Sequence, residues 1–245
     1  MGRVQNPATY RFVLDSPAHF IGVSRLRRTT LRREDRADRD STTTAMLGKL
    51  LLTTAVVLAA IHGSSAQVCS ADIVLTLDES SSIPRTQFIL ARDFMLDFIE
   101  CAAFQDKDIR IGVILYNCVP RTYFDLGKYT RNSSYMRGAI DYMMKEGGVT
   151  RTGVAIRYMR VTSKFRHEVP GAAVIFTDGQ TSDDYAYEAG AARAAGVDLY
   201  AVGVGIPGLV DQAALETITD DSDRVFDTTQ PCVVAQKVVD DLCGG

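Results

Sequence analysis

Two short, nearly uninterrupted apolar runs constrain this chain more than anything else in it: ADIVLTL at 71–77 and AAVIFT at 172–177. Neither alternates like a strand with one wet face, and each is too short for a core helix. Both read as β-strands buried on both faces. Such strands need cover above and below, and parallel sheets obtain it from the helices that cross over between strands. The intervening segments supply those helices. Pro84 opens one, with Phe88, Ala91, Met95 and Phe98 recurring at steps of three and four. Others are predicted over 132–145 (ended by Gly147 and Gly148), 153–164, 183–195 (stopped by Gly196), 210–219 and 233–242. Further strands are predicted over 109–116, 121–126, 197–204 and 224–226, the first two as a hairpin turning around Pro120. The expected class is α/β: a doubly wound, mostly parallel, Rossmann-like sheet with one antiparallel edge strand and helices on both faces.

The formal charge of −3 averages over unlike pieces. Residues 1–45 carry nine arginines against five acids. They read as a basic leader, either untranslated, with Met46 as the true start, or disordered. Residues 46–66 have the form of a signal peptide: Lys49, an apolar run over 50–61, then Ser64, Ser65 and Ala66 before a cleavage point. The alternative is a basic cytoplasmic tail and a type II signal anchor. A run of twelve residues falls short of the roughly 20 that a span requires, so cleavage before Gln67 and secretion is the expectation. The domain is then 67–245, with 17 basic against 25 acidic residues, a net charge of −8. That balance disfavours nucleic acid and anionic membrane surfaces as partners. The absence of any apolar run near 20 residues excludes a polytopic membrane chain.

A doubly wound sheet builds its sites beyond the carboxyl ends of its strands. Asp78-Glu79-Ser80-Ser81-Ser82 follows the first strand, Thr150-Arg151-Thr152-Gly153 follows the Gly147-Gly148 turn, and Asp178 opens an acid- and hydroxyl-rich loop after the fourth strand. These segments offer carboxylates and hydroxyls with no histidine or cysteine nearby. Hard oxygen donors of low total charge suit Mg²⁺, alternatively Mn²⁺ or Ca²⁺, and leave a coordination position for an outside carboxylate. The competing reading is that these groups cap the helices that follow, for which Ser82 before Ile83-Pro84 is a credible candidate. Glu79 reads as a solvated loop acid.

Asp78-x-Ser80-x-Ser82, Thr150-x-Thr152-Gly153 and Thr177-Asp178-Gly179, each in its strand or turn context, resemble the von Willebrand factor type A (vWA) domain. The stretch 174–205 is similar to the A domains of matrilins and collagen VI, and the resemblance covers about 69–243. It implies a metal-ion-dependent adhesion site formed by Asp78, Ser80, Ser82, Thr150 and Asp178. Ser80 and Ser82 are direct ligands in that pattern, Thr150 ligates when a partner is bound, and the aspartates act directly or through water. Thr152 is the competing threonine. The implied function is that of a secreted adhesion or extracellular-matrix module, not an enzyme. It would bind an extracellular protein ligand whose acidic residue completes the metal coordination. The alternative is a structural or assembly module cross-linked by disulfides, its metal only stabilising the fold. The turn at 205–208 lacks the extra helix of integrin collagen-binding A domains, which disfavours integrin-like collagen recognition.

All five cysteines (69, 101, 118, 232 and 243) fall within 67–245, and secretion places them in an oxidising compartment. Matrilin-type A domains have bridged cysteines bracketing the domain, which implies a Cys69–Cys243 disulfide. Cys232 and Cys243 share one predicted helix, about 16 Å apart, too far to pair. Cys101 and Cys118 fall towards opposite ends of the sheet. The pairing of Cys101, Cys118 and Cys232 otherwise stays open. An odd count leaves at least one thiol free or intermolecular, with Cys118 the candidate for a disulfide-linked oligomer. Asn132-Ser133-Ser134 is an N-glycosylation sequon that competes with a helix-cap role. Gly203-x-Gly205-x-x-Gly208 matches a dinucleotide fingerprint on paper, but too few strands follow it, so it reads as a tight turn. His167 is the one histidine in 67–245, which leaves little for a Ser-His-Asp triad.

Overall fold

A computed structural model describes residues 68–244. The predicted leader and signal segment lie outside the described residues. Among the described residues there are six strands: β1 (Ser70–Asp78), β2 (Asp108–Tyr116), β3 (Arg121–Phe124), β4 (Gly171–Thr177), β5 (Val197–Gly203) and β6 (Val225–Asp227). Six α-helices join them: α1 (Arg85–Glu100), α2 (Ser134–Asp141), α3 (Thr152–Thr162), α4 (Tyr185–Ala194), α5 (Gln212–Thr219) and α6 (Pro231–Cys243). The strands form one sheet in the order β3-β2-β1-β4-β5-β6. Every neighbouring pair is parallel except β2–β3. Among the described residues, no helix is long and apolar enough to cross a membrane.

Alternation along each strand divides the core in two. Ile73, Leu75 and Leu77 of β1 and Val174 and Phe176 of β4 pack with Phe94, Met95 and Phe98 of α1, Met136 and Ile140 of α2, and Val234 and Val238 of α6. Val74, Ala173, Ile175 and Leu199 face the other way, onto Ile156 and Met159 of α3, Ala189 and Ala192 of α4, and Ile218 of α5. Three helices thus cover each face, which is why β1 and β4 carry almost no exposed surface. By the same alternation Asp72, Thr76 and Asp78 share the face of Val74, and all three are fully buried.

Element ends depart from the sequence expectations for local reasons. α2 stops at Asp141 instead of running to 145, because Met143 turns into the core while Tyr142 and Met144 are exposed. Gly147 and Gly148 then take positive φ angles of 87° and 117°, a conformation that favours glycine. β3 ends at Phe124 rather than 126. Its register with β2 shifts between Val113 and Ile114, and Leu126 closes over Gly112, where a Cβ would lie 3.1 Å from the Leu126 backbone. α6 begins two residues early at Pro231, which needs no backbone N–H in a first turn.

β1 leads out to β2 on one side and the chain returns to β4 on the other. The strand order therefore reverses between β1 and β4, and the crevice beyond their carboxyl ends is where such sheets bind ligands.

Candidate metal site

Asp78 is the last residue of β1, paired in register with Tyr116 of β2. One oxygen, Oδ1, accepts the Ser80 backbone N–H at 2.8 Å, an Asx turn that ends the strand. The other, Oδ2, accepts the Thr177 hydroxyl at 3.1 Å, tying the end of β1 to the end of β4. The turn delivers Ser80 and Ser82 side by side, their Oγ atoms 3.0 Å apart. Ser82 Oγ lies 3.4 Å from Thr150 Oγ1. Three hydroxyls from two segments thus form one chain beside the buried carboxylate.

Ser82 does not cap α1. Pro84 occupies the cap position, and no side chain accepts a hydrogen bond there. The Ser82 hydroxyl is turned to the site instead. The two threonines also separate. Thr150 presents its hydroxyl to Ser82, while its carbonyl accepts the backbone N–H and the hydroxyl of Ser182 at 3.1 and 2.8 Å. Thr152 opens α3, and its hydroxyl lies 3.3 Å from the buried Tyr116 phenol.

Asp178 follows β4 and is buried. It accepts the Gln180 N–H at 2.9 Å, and its carbonyl accepts the Asp211 N–H at 2.8 Å. Gly179 carries the turn at φ 80°, where a Cβ would strike the Asp211 carbonyl at 2.8 Å. This close packing fixes the β4 loop against α5.

The electrostatics single out Asp78. Burial pushes its carboxyl up to about 7, the negative charge of Asp178 adds to the rise, and the Ser80 and Thr177 hydrogen bonds oppose it. Tyr116 is pushed well above the ordinary phenol range, chiefly by burial and next by the charge of Asp78, so it is a neutral phenol. Among the described residues, no Lys, Arg or His makes an ion pair with Asp78 or Asp178. No three His, Cys, Asp or Glu side chains converge there either; the set is two carboxylates and three hydroxyls. A bound cation would relieve the cost of ionising a carboxylate in this buried position. An all-oxygen set fits a hard divalent ion.

Glu79 corrects the reading of a solvated acid. Its side chain is fully buried and ion-paired with Arg121 of β3. Nothing local in the sequence marks this, because the partner lies 42 residues away on the antiparallel edge strand. A second missed group is Asp72, at the other end of β1, which binds Arg110 and Arg166. His167 is exposed in the loop before β4, at the end of the sheet away from Asp78. Gly203 closes β5, and only β6 follows it in the sheet.

Cys69 is bonded to Cys243, and Cys101 to Cys232, with Cα–Cα distances of 5.8 and 5.3 Å. Cys118 is free and exposed in the β2–β3 turn. Asn132 is exposed at φ 54°, just before Ser133, whose hydroxyl caps α2 by accepting the Met136 N–H at 3.2 Å.

Comparison with known proteins agrees with this architecture. Mouse matrilin-2 is 32% identical over 142 residues, 55% of this chain and 15% of matrilin-2. The mouse collagen alpha-4(VI) chain is 34% identical over 136 residues, 55% of this chain and 6% of the collagen chain. The chain thus spans a small part of the length of these relatives. Among solved structures, proximal thread matrix protein 1 from the mussel byssus, with zinc in its MIDAS motif, superposes with a TM-score of 0.58 at 22% identity. That match covers 71% of this chain and 48% of the mussel protein and supports the fold. The family model described as von Willebrand factor type A domain matches residues 72–237, well over half of the sequence. The chain belongs to the von Willebrand factor type A domain family.

Proposed function

We propose that this chain is a secreted adhesion or extracellular-matrix module that binds a protein ligand through a divalent cation held by Asp78, Ser80, Ser82, Thr150 and Asp178. The observation that carries the reading is Asp78: a buried carboxyl with no cationic partner among the described residues, set beside a chain of three hydroxyls. The cation, Mg²⁺ or alternatively Mn²⁺ or Ca²⁺, supplies a Lewis-acidic position that an acidic side chain of the partner fills. The protein's own part is positional. The Asx turn at Asp78 aims Ser80 and Ser82, Ser182 fixes the backbone of Thr150, and the packing of Gly179 on α5 fixes Asp178. The reading is of binding and not of catalysis. Zinc in the MIDAS motif of the mussel protein supports a divalent ion in a fold of this kind. Secretion accords with two disulfides and with the matrix proteins among the relatives. Residues 46–66 would be the signal peptide and Asn132 a glycosylation site.

The test is binding of the purified protein to matrix laid down by cultured cells, in Mg²⁺, in EDTA, and with Asp78→Ala in Mg²⁺. Loss in the latter two is expected, and undiminished binding in both contradicts the reading. A second reading, an assembly module, is favoured by one observation: Cys118 is a free, exposed thiol beside two closed disulfides. It predicts a dimer on non-reducing gels that Cys118→Ser abolishes, and a clean monomer counts against it.

A further inference from the structure

Glu79 lies between two of the proposed metal ligands, yet its side chain points away from the cation position into an ion pair. The Arg121 guanidinium grips it with both terminal nitrogens, Nη1 to Oε1 and Nη2 to Oε2, the latter at 3.0 Å. The same Nη2 lies 3.0 Å from Oε1 of Glu146, four residues before Thr150. Asn117 completes the ring, donating to the Gly147 carbonyl at 2.8 Å and to Glu79 Oε1 at 3.4 Å. The backbones of the two turns interlock beneath it. Gly147 N–H donates to the Glu79 carbonyl at 2.9 Å, Ser81 N–H to the Gly148 carbonyl at 2.8 Å, and Gly148 N–H to Ser81 Oγ at 2.9 Å.

The turn that carries Ser80 and Ser82 therefore meets the segment that carries Thr150 through these direct hydrogen bonds and, above them, through one guanidinium on the edge strand that pairs with a carboxylate from each. Without it, Glu79 and Glu146 would face each other as like charges, one of them buried. A planar fork suits this role, because it serves two carboxylates at fixed geometry where an ammonium acts as a point charge. We propose that Arg121 is a positioning residue: by joining Glu79 to Glu146 it holds Thr150 against Ser80 and Ser82, and so sets the affinity of the site for a divalent cation. The inference rests on the metal reading of the five oxygen donors.

Removing Arg121 alone strands a buried charge and risks unfolding. The informative variant is Glu79→Leu/Arg121→Met, which removes one charge of each sign and leaves Glu146 as an unpaired, exposed anion. The net charge of the cluster stays at −1, so on net charge alone that variant would bind a cation about as tightly as wild type. Positioning predicts a loss: Mn²⁺ affinity by calorimetry about tenfold weaker or more, the usual effect of removing a group that orients a ligand. Arg121→Lys, which keeps the charge and loses the fork, is expected to fall between wild type and the double variant. Double-variant affinity within twofold of wild type overturns the proposal. A readout free of metal separates its failure from that of the parent reading. Amide exchange at Ser81 and Gly148, measured in EDTA, is expected to speed about tenfold in the double variant relative to amides of β4. Unchanged exchange overturns the role of Arg121. Faster exchange in a protein whose wild type takes up no Mn²⁺ overturns the metal reading and leaves the positioning of the two turns standing.

Discussion

The two ends of β1 solve the same problem in different ways. Asp72 and Asp78 lie on the same face of one strand, six residues apart, and both are fully buried. At the amino end, Asp72 accepts Arg110 Nε and Nη2 at 2.8 and 2.6 Å, and the Arg166 backbone N–H and Nε at 2.6 and 2.8 Å. Burial pushes its carboxyl up, but these donors, Arg110 foremost, outweigh it and hold the group below the usual carboxylate range. At the carboxyl end, Asp78 receives a backbone N–H and a hydroxyl but no guanidinium, and burial prevails. One carboxylate is compensated from within the chain; the other has no cationic partner among the described residues, and the proposal gives it a cation from outside. The amino end is closed further by the Cys69–Cys243 bridge beside it, and the carboxyl end is the one to which the proposed function assigns binding.

The sharpest way to break this contrast is Asp72→Asn. Leaving two guanidiniums without their buried partner is expected to cost about 3–5 kcal/mol, a fall in melting temperature of roughly 10 °C for a domain of this size. The fall should be the same in Mg²⁺ and in EDTA. A loss that Mg²⁺ restores would mean that the two ends are not independent.

Next in size are the opposed pH dependences. The folded carboxyl of Asp78 at about 7 stands above its unfolded value of 3.8. The folded state therefore keeps a proton that the unfolded state has lost. Its contribution is full below about pH 4 and declines as pH rises towards 7, by at most about 4 kcal/mol at roughly 1.4 kcal/mol per pH unit. Asp72, with its folded value lowered, contributes stability above pH 3.8 that is lost as pH falls through the folded value. Urea melts of the metal-free protein across pH 3–8 would show the first decline, flattened by Asp78→Asn. A metal-free protein whose stability climbs steadily from pH 4 to 7, unchanged by that substitution, contradicts the assignment.

Cys69→Ser/Cys243→Ser is expected to cost about 2–4 kcal/mol of stability, without changing the pH slope that Asp78 sets. The smallest effect belongs to Cys118→Ser. An exposed, unbonded thiol should change stability by less than about 0.5 kcal/mol, read as superimposable melting curves. A larger shift would place Cys118 in a contact that the fold does not contain.

What the sequence made legible follows the range of the interactions. The strands and the oxygen-donor segment after β1 could be read because continuous apolar runs and the Asp78-x-Ser80-x-Ser82 spacing are local patterns. Glu79 was misread as a solvated acid, and Asp72 was passed over, for the opposite reason. Each is an acid in a strand or loop whose burial becomes tolerable only through arginines that lie 38 to 94 residues away. Ser82 was ambiguous between capping and ligation because both uses ask for the same hydroxyl. The backbone excludes the capping use, since Pro84 and not Ser82 takes the cap position. The bond between Cys101 and Cys232 depends on how α1 and α6 pack, which no spacing along the chain encodes.

The central claim is that the carboxyl end of β1 holds a divalent cation through a carboxylate that the fold leaves uncompensated. Calorimetric titration of the purified protein with Mn²⁺ at pH 6 and pH 8, in two buffers of different ionisation enthalpy, tests it most directly. The account predicts about one ion bound, tighter at pH 8, with a proton released at pH 6 as Asp78 ionises, and no binding by Asp78→Asn. Binding that is independent of pH and survives Asp78→Asn, or no binding by the wild type at either pH, would contradict it.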